Sequence, residues 1–231
     1  MKPLPRVSIC TAVWNGLDFT KKFIESIKYN QSFEYELVIV DNGSELEVSQ
    51  YLSEHADRYY RFEENQGFCK GFNKMAELAS HEYLVLINND TVLPDENWWK
   101  ELCEEMQQLD NCGLIFPCVN NILTPINQRS KKGNNIIKLP RWELPLASGC
   151  AFVIKKSIFE KIGGFDESYG TSGEDLDLQF KIWDAGYDIY VTELVFIEHI
   201  GKATSQNLPN QKKLWADNYE KFRKKWKHRI K

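Results

Sequence analysis

The chain has 231 residues, 42% of them hydrophobic and 13% aromatic, with seven Trp and a formal net charge of -4. This is enough to bury one sizeable α/β core, and the charge excludes a globally basic nucleic-acid binder. No run approaches the ~18 apolar residues that a membrane span needs. The six cysteines, Cys10, Cys69, Cys103, Cys112, Cys118 and Cys150, form no C-x-x-C pair, and several sit in apolar runs. The start, Met1-Lys2-Pro3-Leu4-Pro5, lacks an apolar stretch, so the expectation is no signal peptide and a reducing, cytoplasmic setting.

Val7 to Val13 reads as a buried strand, and Asp18 to Tyr29 as a helix with Phe19, Phe23, Ile24 and Ile27 at helical spacing. Glu36 to Val40 is a second strand, closed by the turn residues Asp41-Asn42-Gly43-Ser44. A helix over Glu45 to Ser53, a weaker strand over Tyr59 to Phe62 and a helix over Gly67 to Ala79 follow. Tyr83 to Ile87 is a fourth strand, stopped by Asn88-Asn89-Asp90, and Asn97 to Leu109 is a helix with Trp98 and Trp99 in its first turn. This alternation with short links predicts a parallel sheet with helices on both faces, and a ligand crevice beyond the carboxyl ends of the strands. The turns at Asn15-Gly16, Asp41 to Gly43, Asn65 to Gly67 and Asn88 to Asp90 should converge there.

The second half is less regular. Leu114 to Val119 contains Pro117 and reads as two short strands, and Asn120 to Pro145 as a long polar loop of the kind that is usually functional or mobile. Ala147 to Ile154 is a strand, and Lys156 to Ile162 a short helix stopped by Gly163-Gly164. Glu174 to Ala185 is a helix, and Tyr187 to Val191 and Val195 to His199 are two strands. Residues 212–231 carry nine Lys/Arg against two acids, a local charge of +7, with Trp215, Tyr219, Phe222 and Trp226 on one helical face. Such a helix either lies on an anionic membrane or packs its aromatic stripe on the domain with its charges in water.

Four groups of residues could carry chemistry. Asp90 ends a buried strand, where a carboxylate is costly to desolvate unless paired or bound to a cation; a turn or helix-cap Asp is the alternative. Glu174 and Asp175 follow the glycine-rich stretch Tyr169 to Gly173, so a carboxylate there could take a proton from an attacking hydroxyl; acids complementing a helix dipole are the plainer reading, above all for Asp177. The stretch Asn65 to Asn73 joins a strand to a helix and suits a phosphate or ribose, although tight packing explains its glycines equally well. His199 ends an apolar strand and could be a structural histidine or a metal ligand beside Asp90.

Together and in order, these pieces resemble family 2 glycosyltransferases with the GT-A fold, in particular rhamnosyltransferase-like bacterial members. The resemblance runs from about Val7 to His199. It rests on Val-Ser-Ile-Cys-Thr-Ala-Val-Trp-Asn-Gly, Val-Ile-Val-Asp-Asn-Gly-Ser, Asn-x-Gly-Phe-x-x-Gly-x-Asn, Leu-Ile-Asn-Asn-Asp-Thr, Gly-Gly-Phe-Asp-Glu, Gly-Glu-Asp-Leu-Asp-Leu and the final His199. It implies a Rossmann-like mixed sheet flanked by helices, spanning 1–204, with a nucleotide-binding half over about 1–110 and an acceptor half over about 111–204, followed by the basic helix in 205–231.

By the same resemblance, Thr11, Ala12, Trp14 and Asn15 would line a base pocket, and Asp41 would bond the base with Asn42 beside it. Asn65, Gly71 and Asn73 would face the ribose and diphosphate, with Asn88 and Asn89 beside the donor, and Ser148 and Gly149 near the sugar. Asp90 and His199 would hold a divalent cation, Mn2+ or Mg2+. The family's Asp-x-Asp metal motif reads Asn88-Asn89-Asp90 here; Asn accepts through its carbonyl but brings no charge. Asp175 would be the catalytic base and Glu174 its orienting neighbour. The expected reaction is an inverting transfer from a UDP- or dTDP-linked sugar to a glycan or lipid-linked acceptor, with peripheral membrane contact through 212–231 and no nucleic acid. The alternatives are a nucleotidyltransferase, which would need a basic glycine-rich phosphate loop near the start where Trp14-Asn15-Gly16-Leu17 has no basic residue, and a non-catalytic sugar- or nucleotide-binding module.

Overall fold

A computed structural model describes residues 4–29, 33–94, 97–122, 124–201 and 211–230. The expected boundary at 204/205 and the last basic residue, Lys231, lie outside the described residues. The first half follows the strand–helix alternation: β1 (Val7–Val13), α1 (Leu17–Tyr29), β2 (Tyr35–Asp41), α2 (Leu46–His55), β3 (Arg58–Arg61), α3 (Gly67–Leu78), β4 (Tyr83–Ile87), β5 (Thr91–Val92) and α4 (Trp98–Gln108). Then come β6 (Cys112–Val119), β7 (Ile136–Lys138), β8 (Ala151–Lys155), α5 (Lys156–Lys161), a single 3-10 turn (Glu167–Tyr169), α6 (Glu174–Asp184), β9 (Asp188–His199) and α7 (Gln211–Trp226).

The nine strands form one mixed sheet in the order β3-β2-β1-β4-β8-β6-β9-β5, with β7 added on β9. β3, β2, β1 and β4 are mutually parallel, as the alternation predicts. The parallel expectation ends at β8, which runs antiparallel to both β4 and β6. Alternate residues of the same strands feed opposite faces, as the two-residue period of a strand requires. Cys10, Val38, Val40, Leu84 and Leu86 pack with α3, α6 and α7, whereas Ile9, Leu37, Ile39, Val85 and Ile87 pack with α1, α2 and α4. Burial on both faces is why these strands read as unbroken apolar runs.

Three expectations for the second half are corrected. Cys112–Val119 is one strand despite Pro117, with a register shift between Pro117 and Cys118 that absorbs the missing donor. The expected strands over 187–191 and 195–199 are one strand, β9, because the shift skips from Thr192 to Phe196 without ending the pairing with β6. The expected loop 120–145 contains β7, which pairs with β9. It also contains Asn127, fully buried and bonded to Ser148 through both its amide nitrogen and its oxygen.

Two features of this half matter below. Glu105 of α4 is buried beside Thr192 of β9, and burial pushes its carboxyl up to about 7, with the Thr192 hydroxyl opposing and Glu101 adding to the rise. The stripe of α7 is packed onto the domain at its C-terminal end. Phe222 is buried with its ring 4.8 Å from that of Phe180, and Trp226 donates to Asp177 Oδ1 at 2.7 Å. Trp215, at the other end, stays half exposed and stacks on Tyr219.

Candidate active site

Because β1, β2 and β4 are parallel, their carboxyl ends open on one side of the sheet. A hollow of about 440 Å³ lies there, lined by Ala12, Val13, Trp14, Asn42, Asn65, Gly67, Phe68, Asn88, Asn89, Asp90 and Thr171. Seven of the residues expected at a donor site line this wall: Ala12, Trp14, Asn42, Asn65, Asn88, Asn89 and Asp90. Asn42 shapes it by tying the β2 turn to the start of α3, donating to Gly67 O at 3.0 Å and accepting from Gln66 N at 2.9 Å. Asn89 is buried and donates to Thr20 Oγ1 at 2.8 Å, which fixes the β4 turn against α1.

Other expected residues stand behind that wall. Asp41 is fully buried; one oxygen takes Arg61 Nη1 at 2.7 Å and Tyr59 OH at 3.0 Å, and the other takes Ser44 N at 2.8 Å. Asn15, at a left-handed φ of 57°, donates its amide to Ser44 Oγ at 2.9 Å and caps Glu45 N with its side chain. Thr11 is enclosed, with no partner for its hydroxyl. Gly71 is where α3 crosses β1: a Cβ there would stand 3.0 Å from that of Ala12, so glycine sets how closely the helix approaches. Asn73 is engaged by the Phe165 main chain, accepting from its N at 2.8 Å and donating to its O at 3.0 Å.

Asp90 and His199 are brought together by β5. This two-residue strand pairs Thr91 with His199, and Ile200 N donates to Asp90 O at 2.9 Å. His199 Nε2 lies 3.3 Å from Asp90 Oδ1, and both side chains are largely buried. Burial alone would lower the His199 pKa, but the Asp90 carboxylate outweighs it and the net direction is upward. Among the described residues no three His, Cys, Asp or Glu side chains group as a metal site. One carboxylate and one imidazole, with Nδ1 buried and unpartnered, are a donor set that fits a divalent cation taking its remaining ligands from a diphosphate.

Glu174 and Asp175 open α6. Asp175 Oδ2 accepts from Gly149 N at 3.1 Å and Oδ1 from Leu176 N at 2.9 Å. Glu174 is buried and its Oε2 has no partner. Burial raises both carboxyls; for Glu174 the neighbouring Asp175 charge adds to the rise, and for Asp175 the main-chain donors oppose it. Two carboxyls this close favour one proton between them, and the two amides favour the anion on Asp175. Asp175 keeps partial solvent access.

Neither Glu174 nor Asp175 lines the hollow that contains Asp90, but Asp175 is tied to the rim of that hollow through the sheet. Ile87 pairs with Ala151 across β4 and β8, Asn88 N donates to Cys150 O at 2.9 Å, and the adjoining Gly149 holds Asp175. Thr171, four residues before Asp175, lines the hollow and accepts from Phe68 N at 3.2 Å. Ser148 and Gly149 thus lie between the two acids along the chain path. Val13 and Thr171 were not expected at the wall, whereas Gly67 and Phe68 belong to the stretch Asn65 to Asn73 that was; the glycine-rich 169–173 stretch was the visible signal for Thr171. A second hollow of about 500 Å³, between Lys138, Leu139, Pro140, Arg141 and Asp188, contains none of the expected residues. Its acid is already held by Lys138 and Arg141, each at 2.7 Å.

A doubly covered sheet with a hollow beyond the carboxyl ends of its parallel strands, lined by one acid, Asp90, places ligand binding there as in open α/β folds. Residues 8–163 match the family model described as Glycosyl transferase family 2, well over half of the chain; the chain belongs to that family and is a glycosyltransferase. It is similar to an uncharacterized glycosyltransferase of Rickettsia prowazekii, 27% identical over 235 residues that cover 96% of this chain and 72% of the relative. It is 24% identical over 220 residues to the O-antigen biosynthesis protein RfbC of Myxococcus xanthus, covering 84% of this chain and 17% of that one. Among solved structures, the crystal structure of GalNAc-T7 with UDP, GalNAc and Mn2+ aligns with a TM-score of 0.77 at 16% identity, over 97% of this chain. The chain spans about half of that protein, 49%. This likeness shows the fold, which is GT-A.

Proposed function

We propose that the chain transfers a sugar, with inversion, from a UDP- or dTDP-linked donor to a hydroxyl of a glycan or lipid-linked glycan, with Asp175 as the base. The observation that carries this is Asp175, which accepts from two main-chain amides, one of them Gly149 N, beside the Cys150 carbonyl that takes Asn88 N at the rim of the hollow. The acceptor oxygen attacks the anomeric carbon, the bond to the diphosphate breaks, the diphosphate keeps the electron pair, and the acceptor proton passes to Asp175. Glu174 stays protonated beside it and leaves the negative charge on the base. Residues of about 1–110 form the donor half and about 111–204 the acceptor half, meeting at the β4–β8 seam. Within the donor half, Trp14, Asn42 and Asn65 contact base and ribose while Asn88 and Asn89 face the diphosphate. Thr11, Asn15, Asp41, Gly71 and Asn73 act from behind the wall, by fixing the turns and α3.

Asp90 and His199 would hold the cation, Mn2+ or Mg2+. When bound, it neutralises the charge that develops on the leaving diphosphate. The UDP and Mn2+ seen with GalNAc-T7 and the O-antigen role in the name of the Myxococcus relative support this donor and a polysaccharide acceptor. A lipid-linked acceptor would place the enzyme at the inner face of the cytoplasmic membrane. With Phe222 and Trp226 packed inward, Trp215 and the outward Lys and Arg of α7 would make that contact.

The test is Asp175→Asn. It should bind the donor with unchanged affinity while turnover falls by roughly 10³-fold, the scale of losing a general base. Donor binding is read as a Tm shift across a panel of UDP- and dTDP-sugars with and without Mn2+. Near-normal turnover in the variant overturns the assignment.

A further inference from the structure

We propose that α7 positions the catalytic base, and that Asn218 is its positioning residue. The inference rests on the reading of Asp175 given above and extends it to a helix that lies beyond the family match, which ends at 163, and that holds no expected site residue. Asn218 is buried, and its amide nitrogen meets three main-chain oxygens of the loop before α6: Ser172 at 2.7 Å, Tyr169 at 2.9 Å and Thr171 at 3.3 Å. Three carbonyls turned towards one donor define the path of the chain between the 3-10 turn and Glu174.

That path needs holding. Gly170, Ser172 and Gly173 all have positive φ, and Ser172, at 82°, is a non-glycine residue in a conformation that L side chains seldom adopt. Gly173 caps α6 without any side-chain hydrogen bond, so the helix start is not fixed by a cap of its own. Asn218 also packs directly on it, its Cβ 3.3 Å from where a Gly173 Cβ would be. On the far side of Asp175, Trp226 Nε1 and Lys225 Nζ hold the two oxygens of Asp177 at 2.7 and 2.9 Å. The first turn of α6 is therefore gripped by α7 at 172 and at 177, and Asp175 stands between the grips. The same loop carries Thr171, which lines the donor hollow, so the grip also sets the height of the base relative to the donor.

The test compares Asn218→Ala and Asn218→Gln with Arg229→Ala. The last cuts another tie of this helix region, to Asp184 at 2.7 Å, at the end remote from the acids. Turnover is nucleoside diphosphate release from whichever UDP- or dTDP-sugar of the panel the wild type uses, and binding is calorimetry with UDP or dTDP and Mn2+. Displacing a reacting group by about 1 Å costs roughly 10²-fold. Asn218→Ala should thus lower kcat by about 10- to 100-fold, with the nucleotide Kd within about 2-fold. Asn218→Gln, which keeps the donor, should recover part of the loss, and Arg229→Ala should keep wild-type kcat even where its Tm falls as far. Equal kcat losses in Asn218→Ala and Arg229→Ala, wild-type kcat in Asn218→Ala, or failure of both Asn218 variants to fold each overturn the proposal. If Asp175→Asn retains turnover, the base assignment itself falls; if it is inactive while Asn218→Ala is normal, only the role of Asn218 falls.

Discussion

Glu105 gives the sharpest physical test of the fold, because a buried acid on α4 ties stability to pH. Its carboxyl moves from 4.5 to about 7, chiefly through burial. At 1.36 kcal/mol per tenfold change, that step corresponds to about 3 kcal/mol between the two protonation states. The opposing effect of Thr192 is already contained in that value. A raised folded-state pKa means that the native protein holds this proton more tightly than the unfolded chain does. The contribution is therefore complete below about 4.5, fades as pH rises through 7, and is absent above it. Glu105→Gln keeps the side chain neutral at every pH. It should come closest to the wild type near pH 5 and exceed it by about 3 kcal/mol at pH 8, a Tm gain of about 6–12 °C for a chain of this size. Urea or thermal unfolding of both proteins at pH 5, 6, 7 and 8 is the assay. A difference between them that stays constant across this range refutes the reasoning.

Gly149→Ala should lower kcat by about 10²-fold while donor affinity holds, because the new Cβ would stand 2.8 Å from that of Asp175 and force the base aside; steady-state kinetics with donor calorimetry check it. His199→Ala should abolish the extra Tm shift that Mn2+ adds to nucleotide binding while leaving the metal-free nucleotide shift in place, as a thermal-shift titration reads. Phe222→Ala should destabilise by about 3–5 kcal/mol because it empties a fully buried site against Phe180, measured by denaturant unfolding. Trp215→Ala, on the exposed end of the same helix, should change stability by less than about 0.5 kcal/mol and weaken sedimentation with anionic liposomes.

The donor-side fold was legible because each of β1, β2 and β4 is an apolar run buried on both faces that ends on Asn, Asp or Gly. Pattern and turn chemistry agree at those positions, and the hollow forms where the turns meet. The acceptor side was less legible for identifiable reasons. Thr192-Glu193-Leu194 looks like a break between two strands, yet Glu193 is held by Arg129 and Asn135 and the segment is an irregularity inside β9. β7 is exposed along its length and has no alternation to find. β5 is two residues long and has no sequence signal, although it places His199 beside Asp90. Nor could spacing separate Asp175 from Asp177. Helical geometry turns them apart by about 200°, so one meets Gly149 and the other is enclosed by Lys225 and Trp226. The aromatic stripe of α7 was visible, but its partners Phe180 and Trp142 lie 35 or more positions away in the chain and only the folded arrangement identifies them.

The reversal of strand direction at β8 has a mechanistic corollary. Since Ile87 and Ala151 share a rung, the end of one strand and the beginning of the other lie side by side, and the turn that carries Asp90 and the turn that carries Gly149 leave the sheet from adjacent positions. If Asp175 is the base, its distance from the Asp90 end of the hollow follows from the register of β4 and β8. Changes of length between β6 and β8 would then leave that register, and with it the place of Gly149 beside Asp175, unaltered.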